Sequence, residues 1–172
     1  PALLDLFVGD NDVALSARPM DIGAGWSVTN GAFDLQSGYA SAATLASLYA
    51  LALAEAGRAN AVLSGIVRPP VLGVAALAAR ASDANNAWLI RISEVANTFA
   101  LVERNGGIHT VRASTSVPIA AATDYAIRVV LTDATITATL DGANQISYVS
   151  AFQQSATKYG LYAEILGAQF GT

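Results

Sequence analysis

The sequence predicts an all-β protein whose antiparallel strands pack in two layers. Two observations carry that reading: apolar residues recur at every second position from residue 59 onward, and the runs they form are short and closed by Gly, Asn, Asp or Pro. A third narrows the alternatives. The chain has 172 residues, 53% hydrophobic and only 13% charged, with alanine about a fifth of the total. That is enough apolar content to bury a core, and unlike a disordered polymer. One domain spanning 1–172 is expected.

The elements follow in order. In 59–67, Ala61, Leu63 and Val67 share a face with Gly65, and Arg68-Pro69-Pro70 ends the run because proline donates nothing to a ladder. In 72–80, Leu72, Val74, Ala76 and Ala78 lie on one side, and the polar cluster 82–86 reads as a turn. Trp88, Ile90 and Ile92 then face one way, with Leu89, Arg91 and Ser93 the other. Runs at 98–104 and 108–113 flank Asn105-Gly106-Gly107, a hairpin signal. Tyr125, Ile127, Val129 and Leu131 alternate with Ala126, Arg128, Val130 and Thr132. Ile136 and Leu140 alternate with Thr135, Thr137 and Thr139, and Asp141-Gly142 turns the chain into 146–149. A last strand is expected in 159–166. Only 42–58 is ambiguous: Leu45, Leu48, Tyr49 and Ala52 recur at helical spacing, while Tyr49, Leu51 and Leu53 also alternate. The β context on both sides favours a strand.

Charge and composition exclude several functions. Nine basic residues, scattered singly, against thirteen acidic ones give a net charge of −4, so no nucleic-acid partner is expected. Without cysteine there is no disulfide, thiolate metal site or thiol nucleophile. The opening residues have no initiator methionine and no basic n-region, so no signal peptide is read there; the numbering starts after processing or partway through a longer protein. The uncharged run between Asp34 and Glu55 carries Gln36, Ser37, Ser41, Thr44 and Ser47 among many alanines, and no membrane insertion is expected.

The order of short motifs is itself informative. Leu4-Asp5-Leu6-Phe7 is followed by Gly25-Trp26, Gly31-Ala32-Phe33-Asp34-Leu35 and Gly38-Tyr39-Ala40. Later come Arg80-Ala81-Ser82-Asp83, Asn86-Ala87-Trp88, Asn105-Gly106-Gly107, Tyr125-Ala126-Ile127-Arg128-Val129, Leu140-Asp141-Gly142 and Tyr159-Gly160-Leu161. The series resembles the concanavalin A-like lectin/glucanase jelly rolls, in particular the laminin-G-like modules of secreted proteins and of bacteriophage tail and virion proteins. The resemblance implies a two-sheet antiparallel jelly-roll sandwich whose concave face or edge loops bind glycans, sometimes with calcium. It also implies a closing phenylalanine strand paired with the opening Asp-x-Phe strand, here shortened to Gln169-Phe170-Gly171-Thr172.

Candidate chemistry is sparse. The related glucanases carry Glu-x-Asp-x-Glu on one strand face, and no such run exists: Glu55, Glu94, Glu103 and Glu164 are isolated. Asp21, Asp34, Asp83 and Asp124 are the only acids left to nominate for hydrolysis. His109 is the one imidazole and no Gly-x-Ser-x-Gly elbow accompanies it, so it reads as a solvated strand residue. Gly23-Ala24-Gly25 lacks the lysine of a phosphate loop. Asp10 and Asp12, in Asp10-Asn11-Asp12, are the best metal candidates, for calcium; otherwise no cofactor is expected. For a glycan, whose apolar faces stack on aromatic rings, the candidates are Trp88, Asn86, Arg91 and Tyr39. Trp88 is in phase with Ile90 and Ile92, which also fits a core position. Trp26, Tyr148 and Tyr162 are further aromatic candidates, Trp26 at a position that the resemblance implies is buried.

A threonine- and alanine-rich outer face with Lys158 as the sole lysine suits contact with copies of itself or other virion or surface proteins. The expectation is therefore a non-enzymatic structural or adhesion module of a virion or cell surface, working as a homo-oligomer. The alternative is a lectin domain for a surface glycan, with or without calcium.

Overall fold

A computed structural model describes residues 5, 7, 11–17, 20, 21 and 23–172. After a 3-10 turn at Leu15–Ala17 the chain forms β1 (Ser27–Asn30), β2 (Ala32–Gln36), β3 (Tyr39–Thr44), β4 (Ala50–Glu55), β5 (Ala61–Arg68), β6 (Val74–Asp83) and β7 (Asn86–Ser93). It continues with β8 (Thr98–Asn105), β9 (Ile108–Ser116), β10 (Tyr125–Thr132), β11 (Thr135–Leu140), β12 (Asn144–Val149), β13 (Lys158–Ala163) and β14 (Gln169–Gly171). The ambiguous segment resolves as the end of β3, a turn, and β4. Alanine's helical preference is overridden because β4 buries both faces between its neighbours and the two side-chain layers.

Two seven-stranded antiparallel sheets result. The first has the order β1-β4-β13-β6-β7-β8-β9 and the second β12-β11-β10-β5-β14-β3-β2. The core between them takes one face of every strand run: Trp88, Ile90 and Ile92 from β7, Phe99 and Leu101 from β8, and Ile127, Val129 and Leu131 from β10. Period-two alternation is thus a direct image of the sandwich. Consecutive strands change sheets repeatedly, and at one change Gly31 holds a positive φ of 65° while a Cβ there would meet the Thr44 carbonyl at 2.4 Å. Only glycine fits that crossing.

The closing Phe170 pairs with Ala40 of β3 and Val67 of β5. The expected pairing of this closing strand with the opening Asp-x-Phe segment is not made, because β3 and β5 already occupy both edges of β14. Phe7 itself is buried and stacks on Trp26, whose Nε1 donates to Asp5 at 2.7 Å. The threonines of β11 face outward, Thr139 opposite Arg128 and Thr137 bonded to Ser147 at 3.2 Å. Among the described residues no helix is long and apolar enough to cross a membrane.

Candidate functional site

The outer face of the first sheet is where the pattern departs from a simple sandwich. A face turned to solvent should be polar, yet Leu51, Leu53, Ala76, Ala78, Leu89 and Val102 form a second apolar cluster there, each at most 2% exposed. Side chains reaching across the sheet bury it. Tyr49, just before β4, stacks on Tyr162 of β13 with ring centroids 5.5 Å apart. The Arg104 guanidinium of β8 lies 4.5 Å from the Tyr49 centroid. His109 of β9 meets Tyr162 edge-on at 5.8 Å. β4 and β8 are four places apart in the sheet, as are β13 and β9, so a flat sheet would separate these pairs by roughly 19 Å. Contact therefore requires the sheet to curl toward this side, and the face is concave.

A polar network runs through this canopy. Arg104 donates to the Ala84 carbonyl at 2.9 Å, the Gly107 carbonyl at 3.2 Å and His109 Nε2 at 2.7 Å. Because arginine has only donors, His109 Nε2 must accept, which places the ring proton on Nδ1, 3.4 Å from Glu164 Oε1. Tyr162 donates its hydroxyl to the same oxygen at 3.1 Å. Burial, aided by the neighbouring Arg104, holds the His109 pKa below its ordinary value, against the pull of Glu164. Burial and then Glu164 push the Tyr162 phenol far up. Next to the canopy opens a cleft of about 550 Å³, bordered by Leu48, Tyr49, Leu72, His109 and Glu164, a volume suited to one or two sugar rings. His109 is thus not the solvated strand residue read from the sequence. It is half-buried, wedged between Arg104 and Glu164.

The residues nominated for glycan contact are not brought together. Trp88 is fully buried between the sheets, with Nε1 donating to the Phe152 carbonyl at 3.0 Å, so it presents no face to a ligand. Tyr39 lies on the opposite sheet, donating to Asp124 at 2.9 Å beneath Arg68, whose guanidinium is 4.3 Å from its ring. Asn86 ties two hairpins together, donating to Asp83 and accepting from Gly106 at 3.0 Å. Asn86 is also the main cause of the lowered Asp83 pKa. Arg91 alone stands on the concave face. Of the other aromatic candidates, Tyr148 packs on Trp88, and Tyr162 is in the canopy.

Sequence reading passed over Arg104, Tyr49 and Glu164. One signal was within reach: Arg104 and His109 flank the Asn105-Gly106-Gly107 turn as a cross-strand pair.

Of the metal candidates, Asp10 lies outside the described residues. Asp12 is exposed; its backbone N–H donates to Leu35 at 2.9 Å and its carboxylate accepts from Gln36. Among the described residues no three His, Asp or Glu side chains converge as a metal set. Asp34, Asp83 and Asp124 sit on separate elements: Asp34 in β2, Asp83 at the end of β6, and Asp124 bound to Arg68 at 2.7 Å before β10.

Comparison with protein-family models and with curated proteins found no match. Solved structures do match. The carbohydrate binding module CBM66 from Bacillus subtilis superposes with a TM-score of 0.74 at 19% identity, over 87% of this chain and 92% of that one. A Bacillus licheniformis β-glucanase gives 0.59 at 11% identity over 95% and 94%. The Dario rerio galectin-1-L2 gives 0.54 at 13% over 70% and 96%. The expectation of a non-enzymatic chain is corrected by the second of these: the same architecture includes a glucanase, so neither the fold nor the missing Glu-x-Asp-x-Glu run places this chain outside enzymes. What the likenesses share with this chain is the concanavalin A-like jelly-roll sandwich.

Proposed function

We propose that the chain is a glycan-binding module and that its ligand lies in the concave groove of the first sheet. The observation that carries this is the canopy beside the cleft: half-exposed Tyr49 offers an aromatic surface, while His109 and Glu164 supply a donor and acceptors within a few ångströms. Sugars need that mixture, apolar C–H faces against a ring and hydroxyls against fixed polar atoms. The likeness to a carbohydrate-binding module supports the same reading, and favours it over the virion-structural expectation.

A broad glycan array followed by calorimetry on the hits tests it. Binding is expected without added calcium, and Tyr49→Ala should weaken it about tenfold, the equivalent of one lost aromatic contact. A well-folded protein that binds no member of the array, or a Tyr49→Ala variant with full affinity, would overturn the assignment.

A further inference from the structure

Among the described residues Arg91 is the one cation on the concave face without a partner. It stands in mid-β7 in the cross-strand row Tyr162–Ala76–Arg91–Ala100, so an alanine methyl lies on either side and neither offers an acceptor. Its Nε is enclosed and makes no hydrogen bond, and among the described residues no ion pair ties the side chain down. Buried donors are normally satisfied, and a guanidinium is charged at every accessible pH. Arg58 and Arg128 have no such partner either, but they are exposed and water serves them. Arg91 is half-buried.

The other charges facing it are already engaged. Arg104 is spent on two carbonyls, His109 and the Tyr49 ring. Glu164 accepts from Tyr162 and faces His109. Glu94, at the edge, accepts from the Leu72 backbone, and Glu103 pairs with Arg112 on the inward-facing side of β8. His109 is held neutral by burial and the nearby cations. Around the groove Arg91 and Arg104 stand against Glu164 and, at the edge, Glu94, so the groove is close to neutral on a chain whose net charge is −4. Among these charges Arg91 is the one with no ion pair or hydrogen bond of its own, which leaves it to meet an anionic group.

We infer that the groove selects carboxylate-bearing glycans, with the Arg91 guanidinium receiving the sugar acid while the ring rests near Tyr49. A planar carboxylate matches the two terminal guanidinium nitrogens end-on, which unlike Nε are not enclosed. The inference rests on the glycan-binding reading and adds the ligand class to it.

An array carrying uronic, sialylated, sulfated and neutral oligosaccharides, followed by titration of each acidic hit against its methyl ester, tests the proposal. The acid should bind at least about tenfold more tightly than its ester, with affinity falling as salt rises. Arg91→Gln should erase the difference and Arg91→Lys should keep part of it. Because the substitution removes an unpaired, half-buried charge, the melting temperature of Arg91→Met should be unchanged or higher, which separates lost binding from lost fold. Equal affinity for acid and ester, preference for sulfated glycans alone, or an acid preference that survives Arg91→Gln would each overturn the inference while leaving a glycan groove in place. An array with no binding at all would sink the glycan reading and this inference with it.

Discussion

Replacing Arg104 with methionine would remove the charge that spans the concave face while keeping most of its apolar bulk. Two kinds of contact are lost, the three bonds to the Ala84 carbonyl at 2.9 Å, the Gly107 carbonyl at 3.2 Å and His109 Nε2 at 2.7 Å, and the stacking on Tyr49 at 4.5 Å. Hydrogen bonds from a charged group contribute about 1.5–3 kcal/mol each and the cation–π contact about 1 kcal/mol, a gross loss of roughly 5–10 kcal/mol. Arg104 is only 6% exposed, so relief of its desolvation offsets several of these. The net expectation is a destabilisation of about 2 kcal/mol. Urea unfolding monitored by circular dichroism would register it as a lower midpoint at unchanged slope. The hairpin at 105–107, which Arg104 fastens to the 83–86 turn, should also exchange its amide hydrogens faster. A midpoint equal to or above that of the wild type would refute the reasoning, because it would mean the guanidinium is held at a net cost and the canopy stands without it.

Other outcomes follow from the same structure. His109 has a folded pKa below its ordinary value of about 6.5, so the unfolded chain binds the proton more readily; stability should be full above that pH and fall as pH drops below it, and a His109→Gln variant should lack this component of the pH profile. Gly160→Ala places a Cβ 1.9 Å from the Ala52 carbonyl, forcing β13 away from β4, and thermal melting should show a loss of about 3 kcal/mol. Trp88→Phe loses the bond to the Phe152 carbonyl and core volume, which should cost about 2 kcal/mol in denaturant titration and leave glycan affinity unchanged, since Trp88 faces the core and not the groove.

Strands were readable in this sequence because each depends on residues near in the chain. The phase of Trp88, Ile90 and Ile92, the stop at Pro69-Pro70 and the turn at 105–107 are local facts, and each recurs in the structure. The groove depends on strand order instead. Nothing local says that β13 inserts between β4 and β6, yet that insertion is what sets Tyr162 facing His109, 53 residues earlier in the chain. Ala76 and Ala78 of β6 are small residues with no distinguishing local pattern, and their burial on the outer face appears only when the sheet curls over them. Tyr39 and Trp88 were reasonable aromatic candidates, but one sits on the opposite sheet and the other between the layers. Arg91 was nominated for standing near Trp88 in the chain, yet strand alternation turns the two to opposite faces of β7.

The most direct trial of the account is amide chemical-shift mapping of the protein titrated with its tightest array hit. Shifts should concentrate at Tyr49, Arg91, His109 and Glu164, the residues that border the curled face. Perturbations gathered around Tyr39 and the threonines of β11, on the far side of the molecule, would place the ligand elsewhere and contradict it.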